Sequence, residues 1–314
     1  MLAYLVKRLM ISIVVLFGIA LGSFLMIHLI PGDPAKIQLG IHATPEAVER
    51  LHKEWGLDRS LPEQFWLYLG NIVTFDFGQS TAFSSGVAEL IGNRIGPTAL
   101  LIAYGILIAL VIGVPLAIWA ALRQGGLIDN AIRVLTTFTF AMPPFWLGLM
   151  LALLLGFELK WFPVSGYETG ISGILRTLTL PALTVGLGLL VIVVRNLRAN
   201  LVTVLHSEYI EAARARGLSE LRVVGKHAMR NSVIGTITIL ASIFGFLVGL
   251  MVLVESVFQI PGAGTLLVQA VSKRDYKLVQ TLVFLSGAVV VILGLLTDLA
   301  AAWLDPRIRL GGRS

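Results

Sequence analysis

The ionisable residues with the most informative order lie in one polar stretch of this largely apolar chain, residues 207–231. At the start of this stretch, a pair of acids precedes a pair of bases: Glu208, Glu211, Arg214 and Arg216. This order favours a short helix, because acids stabilise the positive end of a helix dipole and bases the negative end. Ser207 is placed to cap that helix, and Gly217 permits the left-handed residue that ends it.

A second helix is predicted after Ser219, which is placed to cap it. Three apolar residues fall at helical spacing, and three basic residues form another face: Leu221, Val224 and Ala228, then Arg222, Lys226 and Arg230. Two short amphipathic helices joined by a glycine suit binding rather than catalysis. They fit a groove on a soluble partner or the anionic headgroups of a membrane, and the residues alone favour neither.

Catalytic motifs are absent from the sequence. It contains no phosphate-binding G-x-x-x-x-G-K-[ST] string, which excludes an ATPase site of its own. It contains no H-E-x-x-H and no G-x-S-x-G, its five histidines lack metal-ligand spacing, and it has no cysteine. We therefore expect no catalytic residue, no metal site and no cofactor bound by this chain.

Two acids lie within apolar segments, Glu255 and Asp298. An unpaired charge at bilayer depth costs about 2.5 kcal/mol or more, so such residues often mark transport paths. Both lie near segment ends, and we expect a structural partner or a position reaching water or headgroups rather than a substrate or proton role. So few buried charges argue against a proton-coupled secondary transporter, which remains the alternative.

The amino-acid composition indicates that most of the chain lies in a lipid bilayer. Of 314 residues, 56% are hydrophobic and 13% charged, and the mean hydropathy is +0.87. A soluble enzyme must cover its surface with polar groups, so this class is excluded. In a membrane protein a net charge of +6 indicates which loops stay in the cytoplasm and does not indicate nucleic-acid binding. We expect membrane lipid around the chain.

Six apolar segments are long enough to span a membrane. They cover residues 9–30, 98–121, 131–156, 179–199, 232–255 and 279–304. Pro143 and Pro144 remove two backbone donors from the third, which predicts a kink or break there.

Basic residues set the orientation. Fourteen Lys and Arg residues lie at the termini and in the 122–133 and 195–230 loops, against five in the short segments opposite. Both termini are therefore predicted to be cytoplasmic and residues 31–97 extracytoplasmic. Within 31–97, Thr44 and Pro45 open a helical pattern that Gly56 ends.

The polar stretch resembles a known family motif. Glu211-Ala212-Ala213 followed by Gly217 resembles the E-A-A-x-x-x-G start of the EAA loop in binding-protein-dependent ABC importer permeases. The tail departs from the I-x-L-P ending. Residues 227–231 are similar instead to the H-A-x-R-N version of the dipeptide/oligopeptide permease branch.

Other stretches resemble the B-type subunits of this branch over nearly the whole length. Residues 29–34 resemble L-x-P-G-D-P, and 56–64 resemble G-L-D-x-P-L-x-x-Q with Ser60 in place of proline. Residues 75–80 resemble G-D-L-G-x-S with Phe75 in place of the first glycine. The remaining matches are 161–166, 255–264 and 304–307.

The resemblance implies an all-α polytopic membrane protein with six transmembrane helices, the type I ABC importer permease (MetI-like) fold, and an extracytoplasmic segment between helices 1 and 2. It divides the chain into three regions. Residues 1–97 are the first helix with that segment, 98–304 are a five-helix core with a cytoplasmic coupling loop at 200–231, and 305–314 are a cytoplasmic tail.

The resemblance also implies partners. These are a homologous second permease, forming a heterodimer, two ABC ATPases that bind ATP and Mg²⁺, and an extracytoplasmic binding protein. The implied cargo is a di- or oligopeptide or a related small solute, moved across the bacterial inner membrane, and substrate-contacting residues stay open. The implied coupling residues are Glu211, Ala212, Ala213 and Gly217. An ion-coupled secondary transporter is the alternative, and a membrane scaffold comes last.

Overall fold

A computed structural model describes residues 2–29, 33–40 and 43–304 of the chain. Within these ranges the protein is helical without a β-strand, and Gln79 and Gly86 form one isolated antiparallel bridge. The all-α prediction is confirmed. The helices are α1 (Leu2–His28), α2 (Pro34–Leu39), α3 (Pro45–Trp55), α4 (Leu61–Thr74), α5 (Val87–Leu122), α6 (Leu127–Ala141), α7 (Pro144–Leu151), α8 (Gly170–Leu205), α9 (Glu208–Ala215), α10 (Glu220–Arg222), α11 (Met229–Ser242), α12 (Phe244–Phe258), α13 (Ala263–Ser272) and α14 (Tyr276–Leu304). Two π-helical stretches, Ala152–Glu158 and Val223–Ala228, follow α7 and α10.

The chain forms two compact units. We call residues 2–97 with 261–292 the N-terminal unit, and residues 98–260 with 293–304 the core unit. Helices α5 and α14 each run through both.

Among the described residues, four helices are long and apolar enough to span a membrane: α1, α5, α8 and α14. Two bent pairs, α6 with 144–158 and the helical run 220–240 with α12, bring the number to the six predicted spans if each pair is one broken span. Several helices exceed their apolar cores. Helix α5 starts at Val87 rather than near residue 98, because Val87 and Ile91 are buried in a cluster with α13 and α14, although Glu89, Asn93 and Arg94 interrupt the apolar sequence there.

The predicted break at the proline pair is confirmed. Helix α6 ends at Ala141, and the axis turns by 102° before α7. Met142 is extended (φ −80°, ψ 130°), as expected for a residue before proline, and Pro144 begins α7 where its missing N–H costs nothing.

Helix α3 of the N-terminal unit has the predicted bounds. The Thr44 hydroxyl accepts a hydrogen bond from the Ala47 N–H at 3.2 Å, and Gly56 ends the helix in the left-handed conformation at φ +68°. Val48 is buried on the apolar face.

Helix α2 is fixed to α3 by one carboxylate. Asp33 accepts from the Ala35 N–H at 3.0 Å, capping α2, and lies 2.9 Å from Nε2 of His52 in α3. Burial alone would raise the pKa of Asp33, but the His52 and Ala35 hydrogen bonds outweigh it and lower that pKa below its ordinary value.

Aromatic side chains join α4 to α1. The Phe24 ring of α1 lies 5.3 Å from the Phe65 ring and 6.0 Å from the Tyr68 ring, between centroids. The Tyr68 hydroxyl lies 2.8 Å from the Ser23 hydroxyl, and burial raises the pKa of Tyr68 to about 12. The phenol therefore stays protonated at physiological pH.

A buried carboxylate organises the turn between α4 and α5. Asp275 is fully buried and accepts hydrogen bonds from the Ser80 hydroxyl at 2.5 Å and the Ala82 N–H at 3.2 Å. Its other oxygen accepts from the Leu278 N–H at the start of α14. The serine of the 75–80 motif thus fixes this turn to the corner between α13 and α14.

Helix α8 is the central element of the core unit. It packs against α6, α7, α11 and α12, and many of its side chains are buried, among them Leu178, Val185, Val191 and Leu197. A helix apolar on all faces and covered by neighbours forms the interior of a membrane bundle.

Candidate functional site

The EAA loop, residues 206–231, sits on the end of α8 through a small apolar core. Helix α9 begins three residues after α8 ends at Leu205. Its Ile210 is fully buried and its Ala213 is 8% exposed. They pack with residues of α5, α8 and the second π-helical stretch: Ala117, Ala121, Leu197, Leu201, Leu205, Val223, Val224 and Ala228. The loop is therefore a folded projection of the core unit.

The four predicted coupling residues do not share one surface. Glu211 and Ala212 are exposed on α9, whereas Ala213 points into the loop's own core. Gly217 is exposed and lies in the turn after α9. Among the three EAA residues, the exposed pair Glu211 and Ala212 is what a partner can contact.

The Gly217 turn has the predicted left-handed conformation, with φ +79°. Its N–H donates to the Arg214 carbonyl at 2.9 Å. Across the turn, Arg214 forms two hydrogen bonds with Glu220, at 2.7 Å from Nε and 3.3 Å from Nη2. This fork geometry fixes the direction in which the chain leaves α9.

The second predicted helix is longer than expected. Helix α10 continues through Val223–Ala228 into α11, so the helical run reaches from the loop into a membrane segment. The predicted apolar face is right at Val224 and Ala228 but wrong at Leu221, which is 87% exposed. The physical reason is the π-helical stretch, whose wider turn rotates the buried face so that Val223 is buried instead.

The two predicted serine caps are right in position and wrong in chemistry. Ser207 and Ser219 precede α9 and α10 with extended backbones, and their carbonyls accept the first helical hydrogen bonds. Neither hydroxyl caps its helix, and the Ser207 hydroxyl donates to the Val204 carbonyl.

Asn231, the last residue of the H-A-M-R-N stretch, ties the loop together. Its side-chain amide donates to the Tyr209 hydroxyl at 2.8 Å, joining α11 to α9. This contact accounts for one motif residue that local sequence patterns do not single out.

The sequence did not reveal a buried ion pair of the core unit. Asp129 of α6 is fully buried and accepts from Nε and Nη2 of Arg198 in α8, each at 2.5 Å. The Gly125 N–H donates to the same carboxylate at 2.9 Å. By sequence Arg198 is one of many loop charges, and 69 residues separate it from Asp129, so their spacing carries no signal.

Glu255 has a structural partner, which is one of the two expected alternatives. It is fully buried and accepts from the Thr98 hydroxyl at 2.5 Å. Asp298 is half-buried.

The charged side chains of the loop lie on its surface. Within the residues that the structure describes, no three His, Cys, Asp or Glu side chains come together as a metal site. What the geometry provides is a rigid projection with acids and bases on its surface: Glu208, Glu211, Arg216, Arg222 and Lys226. Such a surface can bind a soluble partner.

Comparison with known proteins places this chain among transport proteins. A family model described as "Binding-protein-dependent transport system inner membrane component" matches residues 113–310. A second, described as the N-terminal part of such membrane components, matches residues 1–92.

Relatives that match over their full length have names that also refer to transport. A protein of Brucella suis biovar 1 named as a peptide permease is 38% identical, over 98% of this chain and 99% of that protein. A glutathione transport system permease protein of Pectobacterium atrosepticum is 37% identical over the same shares. Among solved structures, a chain of the MetNI methionine ABC transporter in an inward facing conformation superposes with a TM-score of 0.59 at 15% identity, covering 69% of this chain and 96% of that one. This last likeness concerns the fold, which confirms the MetI-like prediction.

Proposed function

Because this chain belongs to the family of binding-protein-dependent transport system inner membrane components, we propose that it is the peptide-translocating permease subunit that receives an ABC ATPase on its EAA loop. The chain is a multi-pass inner-membrane permease subunit of an ABC importer. The proposal adds the solute class, the coupling surface and the partners.

The folded EAA loop is the observation that carries the coupling proposal. A permease without an ATPase site must take its driving force from another subunit through a surface stiff enough to transmit it. The Arg214–Glu220 hydrogen bonds, the Asn231–Tyr209 hydrogen bond and the buried Ile210 supply that stiffness. Glu211 and Ala212 lie on the outside, where an ATPase groove with a basic group would meet them.

The expected cycle is a rigid-body switch biased by nucleotide. Two ATPases, holding ATP and Mg²⁺, close and draw the EAA loops of this chain and of a homologous second permease together. The cavity then opens outward towards an extracytoplasmic binding protein, and hydrolysis reverses the motion. This chain contributes no catalytic residue and no cofactor of its own.

A peptide solute is supported by the relatives, whose names refer to peptides and to glutathione, itself a small peptide. We assign residues 1–97 to the first span with the extracytoplasmic segment and 98–304 to the permease core. The tail at 305–314 lies outside the described residues. Both termini are assigned to the cytoplasm.

The first test is a mild-detergent pull-down of the tagged chain from its native membrane, with an ATPase assay. We expect a second permease and ATPases in the eluate, and hydrolysis stimulated by binding protein plus peptide. Recovery of the chain alone, with uptake that follows an ion gradient and ignores ATP depletion, would favour the secondary transporter instead.

The second test addresses Glu211. Glu211→Lys inverts an exposed charge without touching the loop core, so membrane insertion should stay intact while ATPase attachment and transport are lost. Glu158→Lys is the matched control, because it makes the same change at an exposed residue outside the EAA loop. If the Glu211→Lys complex keeps its ATPases and its transport rate, the coupling assignment is wrong.

A further inference from the structure

The N-terminal unit contains a cleft away from the EAA loop. Its volume is about 300 Å³, and its walls come from α1, α3, α4, the turn before α5 and the start of α14. Pockets that bind small molecules begin at about this size.

Two largely buried polar side chains line this cleft, and their polar atoms are open to it. Tyr276 and Gln280 lie one turn apart on α14, and the two residues are 8% and 9% exposed. Among the residues that the structure describes, neither the Tyr276 hydroxyl nor the Gln280 amide has a hydrogen-bond partner, and neither group is sealed from water. A ligand that displaces this water must pair with both groups, because an unpaired polar group shut off from water costs about 1–3 kcal/mol. The pair therefore points to a ligand that supplies a donor and an acceptor.

The rest of the lining narrows the class of ligand. The Trp55 and Phe77 rings provide apolar walls that a side chain can stack on. The Lys277 ammonium lies 5.4 Å from the centre of the Trp55 ring, and the Asp76 carboxylate lines the same cleft. Charges of both signs beside aromatic rings and an amide suit a zwitterionic molecule that contains a peptide bond.

We propose that this cleft is a binding site for a short peptide, whose peptide bond pairs with the Gln280 amide and the Tyr276 hydroxyl while one of its side chains rests on the aromatic wall. The choice of a peptide rests on the proposed function. The site lies in the unit that includes the segment assigned to the extracytoplasmic side, so it would hold solute on this chain itself.

The experiment is isothermal titration calorimetry on the complete wild-type complex in lipid nanodiscs, without binding protein. The ligand is the dipeptide alanyl-phenylalanine. Gln280→Leu keeps the bulk of the side chain and removes its amide, so we expect binding to weaken about tenfold or more. Gln269→Leu is the matched control, since Gln269 is exposed on α13 and lies outside the cleft, and its affinity should equal that of the wild type.

Thermal unfolding separates binding from structure. Because the Gln280 amide has no partner within the described residues of the protein, Gln280→Leu should leave the melting temperature unchanged or higher. A lowered melting temperature with unchanged peptide affinity would show a structural role and overturn the proposal.

ATP hydrolysis by the assembled transporter separates a failure of the cleft proposal from a failure of the proposed permease function. If the wild-type complex binds no dipeptide but still hydrolyses ATP in response to binding protein plus peptide, the cleft proposal fails and the permease function stands. If peptide stimulates no hydrolysis in any combination, the proposed function itself fails.

Discussion

The Asp129–Arg198 pair makes a residue-scale prediction. Arg198→Met leaves a fully buried carboxylate without its cation, and breaking a buried pair in this way costs about 3 kcal/mol. We expect a correspondingly lower unfolding temperature for the purified complex. Arg123→Met removes an exposed arginine from the same region and should change little. Equal melting temperatures for the two variants would contradict the role given to the pair.

Asp33 makes a pH-dependent prediction. Its pKa is lowered in the folded state, so its contribution to stability is complete above the unfolded-state value near 3.8 and is lost as the pH falls through the lower folded value. Hydrogen exchange of the α2 and α3 amides, corrected for intrinsic rates, should therefore increase as the pH falls from about 5 to about 3. Asp33→Asn keeps a capping oxygen and should remove this pH dependence, whereas Asp58→Asn on the exposed surface should retain it.

Single residues differed in how far the sequence could place them. Gly217 was predictable, because few residues other than glycine adopt its φ of +79°. The Ser207 hydroxyl was not, since capping competes with the nearby Val204 carbonyl, and only the folded backbone decides between them. Asp275 and Ser80 are joined by contacts between distant segments, which one sequence does not encode as a local pattern.

At the scale of elements, the turn after α9 gives a prediction. Gly217→Ala places a β-carbon on a left-handed residue, which costs about 1 kcal/mol. No neighbouring atom lies within 4 Å of that β-carbon, so any effect comes from the backbone alone. We expect a tilted α9 and weaker stimulation of ATP hydrolysis by binding protein.

Gly225→Ala is the matched control for this turn. Gly225 lies in the π-helical stretch, its β-carbon would also meet nothing within 4 Å, and its φ is not positive. Alanine favours helix over glycine by about 1 kcal/mol, so this variant should be as stable as the wild type or more so. If both variants transport equally well, the turn conformation does not matter for coupling.

Elements were predictable where local chemistry sets their bounds. Thr44 and Gly56 delimit α3, and the proline pair separates α6 from α7, each for a reason visible in the sequence. The continuation of α10 into α11 was not visible in the sequence. The π-helical stretch that joins them is stabilised by the tertiary packing of Val223 and not by local helix propensity. The same holds for the start of α5, where burial of Val87 outweighs its polar neighbours.

At the scale of the whole molecule, the assigned orientation is testable because the chain has no cysteine. Ser165→Cys should react with a membrane-impermeant maleimide added to intact cells, and Gln124→Cys should react only after permeabilisation, since basic loops stay cytoplasmic. Both positions are exposed. The reverse labelling pattern would invert the assigned topology and remove the EAA loop from the cytoplasm.

One boundary between the two compact units lies between residues 97 and 98. Pro261–Ile292 joins the N-terminal unit from far along the chain, through contacts such as Asp275 with Ser80. A division of the sequence into consecutive regions cannot assign residues 261–292 to the N-terminal unit. The division into regions 1–97, 98–304 and 305–314 stays a prediction.

Helix α8 holds a proline, Pro181, well before its end at the EAA loop. The 24 residues beyond Pro181 span about 36 Å at the helical rise, and the proline removes one backbone hydrogen bond from the helix at that point. A rotation of roughly 8° about Pro181 would carry the EAA loop through about 5 Å. A small change of angle at one weakened position of α8 therefore corresponds to a displacement of the loop by nearly the length of a helical turn.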